Sequence, residues 1–195
     1  MGRRGRSQLT ASGGVFFVTT TFVDFKPLLL NDSYYRLILD SLDFMQRRGD
    51  FTLIAYCIMP TYLHLVLQIS GQKNISDIMR DFKKYTSFRI RKRLENDGHH
   101  RVVESLRLSR GNRQIFKIWI DRFDDLLITN EETLRTKVEY IHQNPVRAGL
   151  VERDIDWPYS SARNYHLNDH SLVEVKWASE ASDGNICHHQ SYASG

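Results

Sequence analysis

Two runs of strand-forming residues, Phe51–Met59 and Leu63–Ile69, are separated by so few residues, Pro60 among them, that an antiparallel hairpin is their natural connection. With side chains alternating along a strand, Leu63, Leu65 and Leu67 share one face, while Tyr62, His64, Val66 and Gln68 share the other. The leucine face must be core. The opposite face carries an imidazole in the middle of a sheet, within reach of whatever packs over that surface.

The remaining chain supplies what such a hairpin needs. After Gly13-Gly14, the β-branched and aromatic run Val15–Val23 reads as a first strand closed by Pro27. Asn31-Asp32-Ser33 offers a helix cap, and Tyr35, Leu37, Ile38, Leu42, Phe44 and Met45 recur at helical spacing as far as Arg48, with Gly49 as the stop. Asn74 or Ser76 caps a second helix with an apolar stripe of Ile75, Ile78, Met79, Phe82 and Ile90. The segment from Arg101 to Gly111 carries no clear signal. Gln114–Phe123 alternates and reads as another strand. Thr129 or Asn130 caps a third helix, with Glu131-Glu132 in its first turn, a stripe of Leu134, Val138 and Ile141, and Pro145 as its end. Trp157–Tyr165 reads as a surface loop anchored by aromatics. The expectation is an α+β fold: a central antiparallel sheet of four or five strands, ferredoxin- or RRM-like, with helices packed against it.

A chain of 195 residues with 41% apolar content supports one good core. We therefore expect a basic flexible arm over 1–13, one domain over 14–165, and a C-terminal extension over 166–195 whose low apolar content from about 178 onward predicts disorder. No apolar run is long enough to span a bilayer and the N-terminus has no signal-peptide pattern, so a cytoplasmic protein without a membrane partner is expected. Cys57 and Cys187 suggest neither a disulfide framework nor a metal site, and His99-His100 reads as a solvated pair.

The net charge of +4 is modest, but its distribution is uneven. Arg3, Arg4 and Arg6 form a basic arm, and Arg80, Lys83, Lys84, Arg89, Arg91, Lys92 and Arg93 crowd the second helix, a footprint suited to phosphates. Tyr85, Trp119 and Tyr159 are candidates for stacking on unpaired bases.

Several stretches in order resemble the HUH single-tyrosine transposases, and most closely the REP-associated tyrosine transposases, also called transposase-17-like proteins. Met59-Pro60-Thr61-Tyr62-Leu63-His64-Leu65 is similar to the family's Met-Pro-Asn-His-x-His-Leu, with Tyr62 where the first histidine stands. Phe82 to Ser87 resembles Phe-Lys-x-Tyr-Thr-Ser, and Trp119, Phe123 and Asp125 are in register with a Trp-Gln-x-x-Phe-x-Asp segment. Tyr140 to Val151 resembles Tyr-Ile-x-x-Asn-Pro-Val-Arg-Ala-Gly-Leu-Val, and Trp157 to Ser161 the Trp-x-x-Ser-Ser that follows.

The resemblance implies metal-dependent cleavage and rejoining of single-stranded or hairpin DNA at palindromic repeats through a 5′-phosphotyrosine. It implies Tyr140 as nucleophile and His64 and Asn144 as ligands of Mg²⁺ or Mn²⁺. A nucleoid-associated bacterial protein, with a homodimer as one oligomeric option, would follow. With Tyr62 at the first histidine position, the ion is held by His64, Asn144, water and DNA, or another acid such as Asp125 moves in, or the site binds no metal. The competing functions are a domesticated hairpin-binding protein without nuclease activity and an RNA-binding sheet module.

Overall fold

The computed structural model describes residues 13–70, 72–110 and 113–177. The Arg3-Arg4-Arg6 arm and the tail from 178 lie outside the described residues. The central sheet comprises β1 (Val15–Thr21), β2 (Phe51–Ile58), β3 (Tyr62–Ile69) and β6 (Asp124–Ile128), in the order β2-β3-β1-β6 and antiparallel at each pairing. Two helices, α1 (Asp32–Arg47) and α2 (Ile75–Asn96), precede and follow the β2–β3 hairpin, which gives the β-α-β-β-α order of a ferredoxin-like unit.

The caps follow local chemistry. Asn31 accepts from the Ser33 amide, Asn74 from Asp77 and Asn130 from Thr133, so in each helix an asparagine side chain satisfies an amide that has no partner inside the helix. Gly49 takes a left-handed conformation (φ 81°) directly after α1, where a side chain would be strained.

Two cores lie on opposite faces of the sheet. On one, Leu63, Leu65 and Leu67 meet Phe16 and Val18 of β1 and the inner faces of α1 and α2. Burying each such leucine contributes about 1.5–3 kcal/mol. On the other, Ile54, Ala55, Cys57 and Val66 meet Leu134, Val138 and Ile141 of α4 (Glu131–His142). The hairpin's alternation thus assigns the leucines to α1 and α2, and Tyr62 and His64 to the face covered by α4.

Three expectations need correction. Gln114–Phe123 does not run as one strand: β5 (Arg113–Phe116) pairs with β4 (Arg107–Arg110) in a separate two-stranded sheet, beyond the short α3 (His100–Ser105), and Trp119 then bridges to Phe22. The fourth strand of the central sheet is instead β6, whose Asp124-Asp125 start lacks strand propensity and is held by pairing with β1. The third helix stops at His142, just short of Pro145, but Asn144 is helical all the same: Pro145 sits in the first turn of a further short helix, α5 (Asn144–Arg147), where its missing amide is no loss. The Trp157–Tyr165 stretch is no surface loop. Tyr159, Ser160 and Ser161 are buried against the outer edge of β2, with Ile58 donating to the Tyr159 carbonyl and Ser161 to that of Tyr56. This segment and Lys176, whose amide donates to the Leu53 carbonyl, cover an edge that would otherwise expose unpaired backbone groups.

Candidate active site

His64 lies midway along β3, in register with Cys57 of β2 and Thr19 of β1. Its ring is buried, with Nδ1 2.9 Å from the Thr19 hydroxyl and Phe17 stacked on it at 5.4 Å. Burial, reinforced by the charge of Lys137, pulls its pKa down to about 4, so the imidazole is neutral at pH 7. In the tautomer that donates from Nδ1 to Thr19, Nε2 keeps a lone pair that a metal could use.

Leu134, Val138 and Ile141 pin α4 to the sheet and leave Tyr140 at the rim, 38% exposed. The Tyr140 ring lies 5.4 Å from that of His64 and 6.0 Å from that of Phe17. Two cations flank it: Lys137 Nζ is 5.6 Å and Arg147 Cζ 5.3 Å from the ring centre. They offer positive charge where a phenolate or a phosphate would develop or bind.

Asn144 follows one turn later and is buried. Its Nδ2 donates to the Tyr140 carbonyl at 3.0 Å, and its Oδ1 accepts from the Tyr62 hydroxyl at 2.9 Å. Burial first, then Cys57 and Tyr140, raise the Tyr62 pKa, so this phenol stays protonated and acts as the donor. Tyr62 also packs against His64, ring to ring at 5.0 Å. Tyr62, His64, Tyr140 and Asn144 thus converge on one face.

Asp125 does not join them. It stands opposite Val18, on the face of α1 and α2, whereas its neighbour Asp124 stands opposite Thr19. Lys137, Arg147 and Thr19 were not among the candidates drawn from sequence. The spacing of Lys137, one turn before Tyr140, carried a local signal; Thr19 needed the strand register.

The basic helix α2 lies on the other side of the sheet. Several of its cations have internal partners: Arg80 pairs with Asp77 and Asp81, Arg91 with Glu95, and Arg93 with Asp97. Lys83 donates to the carbonyls of Ile120 and Arg122, and burial lowers its pKa to about 8. Lys84 and Lys92 are exposed; Lys92 lies over Phe88 and Arg89 over Tyr85. Of the candidate stacking residues, Trp119 is core, donating Nε1 to Thr86 and stacked on Phe22 at 4.1 Å, and Tyr159 is stacked on Tyr35 at 3.9 Å. Tyr85 alone of the three is exposed, beside Phe44.

The family model described as "Transposase IS200 like" matches residues 26–144. A Haemophilus influenzae protein named as a REP-associated tyrosine transposase is 30% identical over 152 residues, covering 76% of this chain and 80% of its own length. The REP-associated tyrosine transposase of Escherichia coli K12 is 25% identical over 173 residues, covering 88% of each chain. A solved structure of a REP-associated tyrosine transposase bound to a REP hairpin shares the fold, with a TM-score of 0.63 at 22% identity over 97% of this chain and 95% of that one. No helix among the described residues is long and apolar enough to cross a membrane.

Proposed function

The chain belongs to the IS200-like transposase family, alongside the REP-associated tyrosine transposases, and from that premise we propose that it cleaves and rejoins single-stranded DNA at hairpin-forming repeats through Tyr140. The observation that carries this reading is the convergence of an exposed Tyr140 with neutral His64 and Asn144 on one sheet face. The Tyr140 oxygen attacks the scissile phosphorus, the bond to the 3′ oxygen breaks, and a 5′-phosphotyrosine forms. The freed 3′-hydroxyl reverses the step on rejoining, because a phenolate is a good leaving group. Lys137 and Arg147 stabilise the charge that builds as the phenol loses its proton.

One imidazole nitrogen and one amide oxygen fit Mn²⁺ or Mg²⁺ with its remaining positions left to water and phosphate oxygens, so His64 and Asn144 are the residues that would hold the ion. Bound there, it would supply Lewis-acid stabilisation of several kcal/mol. Tyr62 competes with this, since its hydroxyl already uses one of the two lone pairs of Asn144 Oδ1.

That hydrogen bond favours a second reading, a hairpin-binding protein in which cleavage is attenuated. DNA hairpins labelled at either end, incubated with Mn²⁺ or EDTA and run on a denaturing protein gel, separate the two. A metal-dependent covalent band absent from Tyr140→Phe supports cleavage. Equal nicking by Tyr140→Phe and the parent removes the tyrosine mechanism. Hairpin binding without a band, restored by Tyr62→His, supports the attenuated reading.

A further inference from the structure

Away from His64, one ligand atom from each of His142, Asp154 and His166 lies within 4.8 Å of the others. These residues come from separate segments: the last residue of α4, the 3-10 turn Asp154–Asp156, and α6 (Ala162–Leu167). We infer that they form a second metal site, of the kind that takes Zn²⁺, which clamps the C-terminal end of α4 to the segment that follows it.

The donor chemistry selects the ion. Two imidazoles and one carboxylate are a borderline set suited to Zn²⁺, whereas Mg²⁺ and Ca²⁺ prefer oxygen donors alone. His166 Nε2 and Asp154 Oδ2 are 3.5 Å apart, close to the roughly 3.4 Å separation of two ligands in a tetrahedron with bonds of about 2.1 Å.

His142 is prepared by its surroundings. It is buried, with Nε2 2.8 Å from Ser161 Oγ. That hydroxyl already accepts from the Tyr56 amide at 3.0 Å and donates to the Tyr56 carbonyl at 3.2 Å. In the arrangement where its single proton stays on that carbonyl, His142 donates from Nε2 and Nδ1 keeps a lone pair. A second-sphere hydroxyl that fixes the tautomer is a common partner of a metal-binding histidine. Asp154 is held in turn, Oδ1 by the Ile155 amide at 2.7 Å and Oδ2 by Gln143 Nε2 at 3.4 Å. His166 is exposed and leaves the remaining position to water.

His142 lies between Tyr140 and Asn144 in the chain, so an ion there would stiffen the turn that carries both. It would act by positioning rather than by touching DNA.

Co²⁺ is a spectroscopic probe for such a site, because four-coordinate Co²⁺ absorbs far more strongly in the visible than octahedral Co²⁺. The metal-free full chain is titrated with Co²⁺ and the ion then displaced by Zn²⁺, beside His166→Ala, Asp154→Asn and His64→Ala, with circular dichroism confirming that each folds. We expect one equivalent with a four-coordinate spectrum in the parent and in His64→Ala, and an affinity lower by at least about a hundredfold in His166→Ala, since loss even of second-sphere partners costs 10–100-fold. Asp154→Asn should weaken binding in the same direction. No four-coordinate spectrum in the parent, its persistence in His166→Ala, or its loss in folded His64→Ala overturns the site.

Discussion

At the scale of single residues, Tyr62 is where the proposed chemistry is most directly tested. Its hydroxyl donates to Asn144 Oδ1 and takes one of the two lone pairs of an oxygen that the proposed ion would use. Tyr62→Phe removes that donor and Tyr62→His replaces it with an imidazole. The adduct yield with Mn²⁺ should therefore rise in the order parent, Tyr62→Phe, Tyr62→His, by up to about a thousandfold if the full Lewis-acid contribution returns. A yield unchanged in both variants would mean that Tyr62 does not limit the site. His64 makes a separate prediction. In the folded chain it takes up a proton only near pH 4, because of its burial, whereas in the unfolded chain it does so near 6.5. The unfolded state therefore binds more protons between those values, and stability present above pH 6.5 is lost as pH falls toward 4, by about 3 kcal/mol from this residue. Urea unfolding in EDTA across that range should show a dependence shallower by up to one proton in His64→Gln; an unchanged dependence would show that His64 titrates normally.

At the scale of elements, the C-terminal segment contributes more than a loop would. Val173 and Val175 are buried, Asn164 Nδ2 donates to the Val173 carbonyl, and Lys176 closes the edge of β2. Ending the chain at Asp169 should cost about 3–6 kcal/mol, from the two valines alone, out of a typical total of about 5–15 kcal/mol. The urea midpoint measures this, and a midpoint equal to the parent's would show the segment to be decoration. The same elements show what could be read in advance. Helix starts at Asn31, Asn74 and Asn130 were legible, or among two options, because a cap is chemistry between residues two or three apart. The faces of Leu63 and His64 were legible because the period of a strand is fixed. β6 was not, since Asp124-Asp125 becomes strand only by pairing with β1; nor was the seating of Tyr159–Ser161, which depends on an edge more than a hundred residues earlier (Ser161 on Tyr56, a separation of 105). The Tyr62–Asn144 bond and the grouping of His142 with Asp154 and His166 likewise exist only once the sheet and α4 are assembled.

At the scale of the whole molecule, α2 and the Tyr140 face lie on opposite sides of one sheet. A DNA hairpin held along α2 and cut at Tyr140 must therefore pass an edge of the sheet. Among the described residues the β2 edge is covered by Tyr159–Ser161 and Lys176, and the sheet's other edge is β6. Affinity along α2 would come from cations free to meet phosphates, and the ion pairs sort them. Arg93 is held by Asp97 at 2.8 Å, and Arg91 by Glu95 at 2.7 Å with its guanidinium 3.6 Å over Phe116. Releasing either to a phosphate leaves a carboxylate behind and gains little. Lys84 and Lys92 are exposed on the same helix. If each neutralises one phosphate, Lys84→Ala and Lys92→Ala should each reduce the slope of log binding constant against log salt by about 0.7–0.9, whereas Arg93→Ala should leave it close to the parent value. Hairpin binding measured by anisotropy at several salt concentrations gives these slopes. A slope unchanged in both lysine variants would move the DNA off α2, and would leave the Lys137 and Arg147 side of the sheet as the surface that binds it.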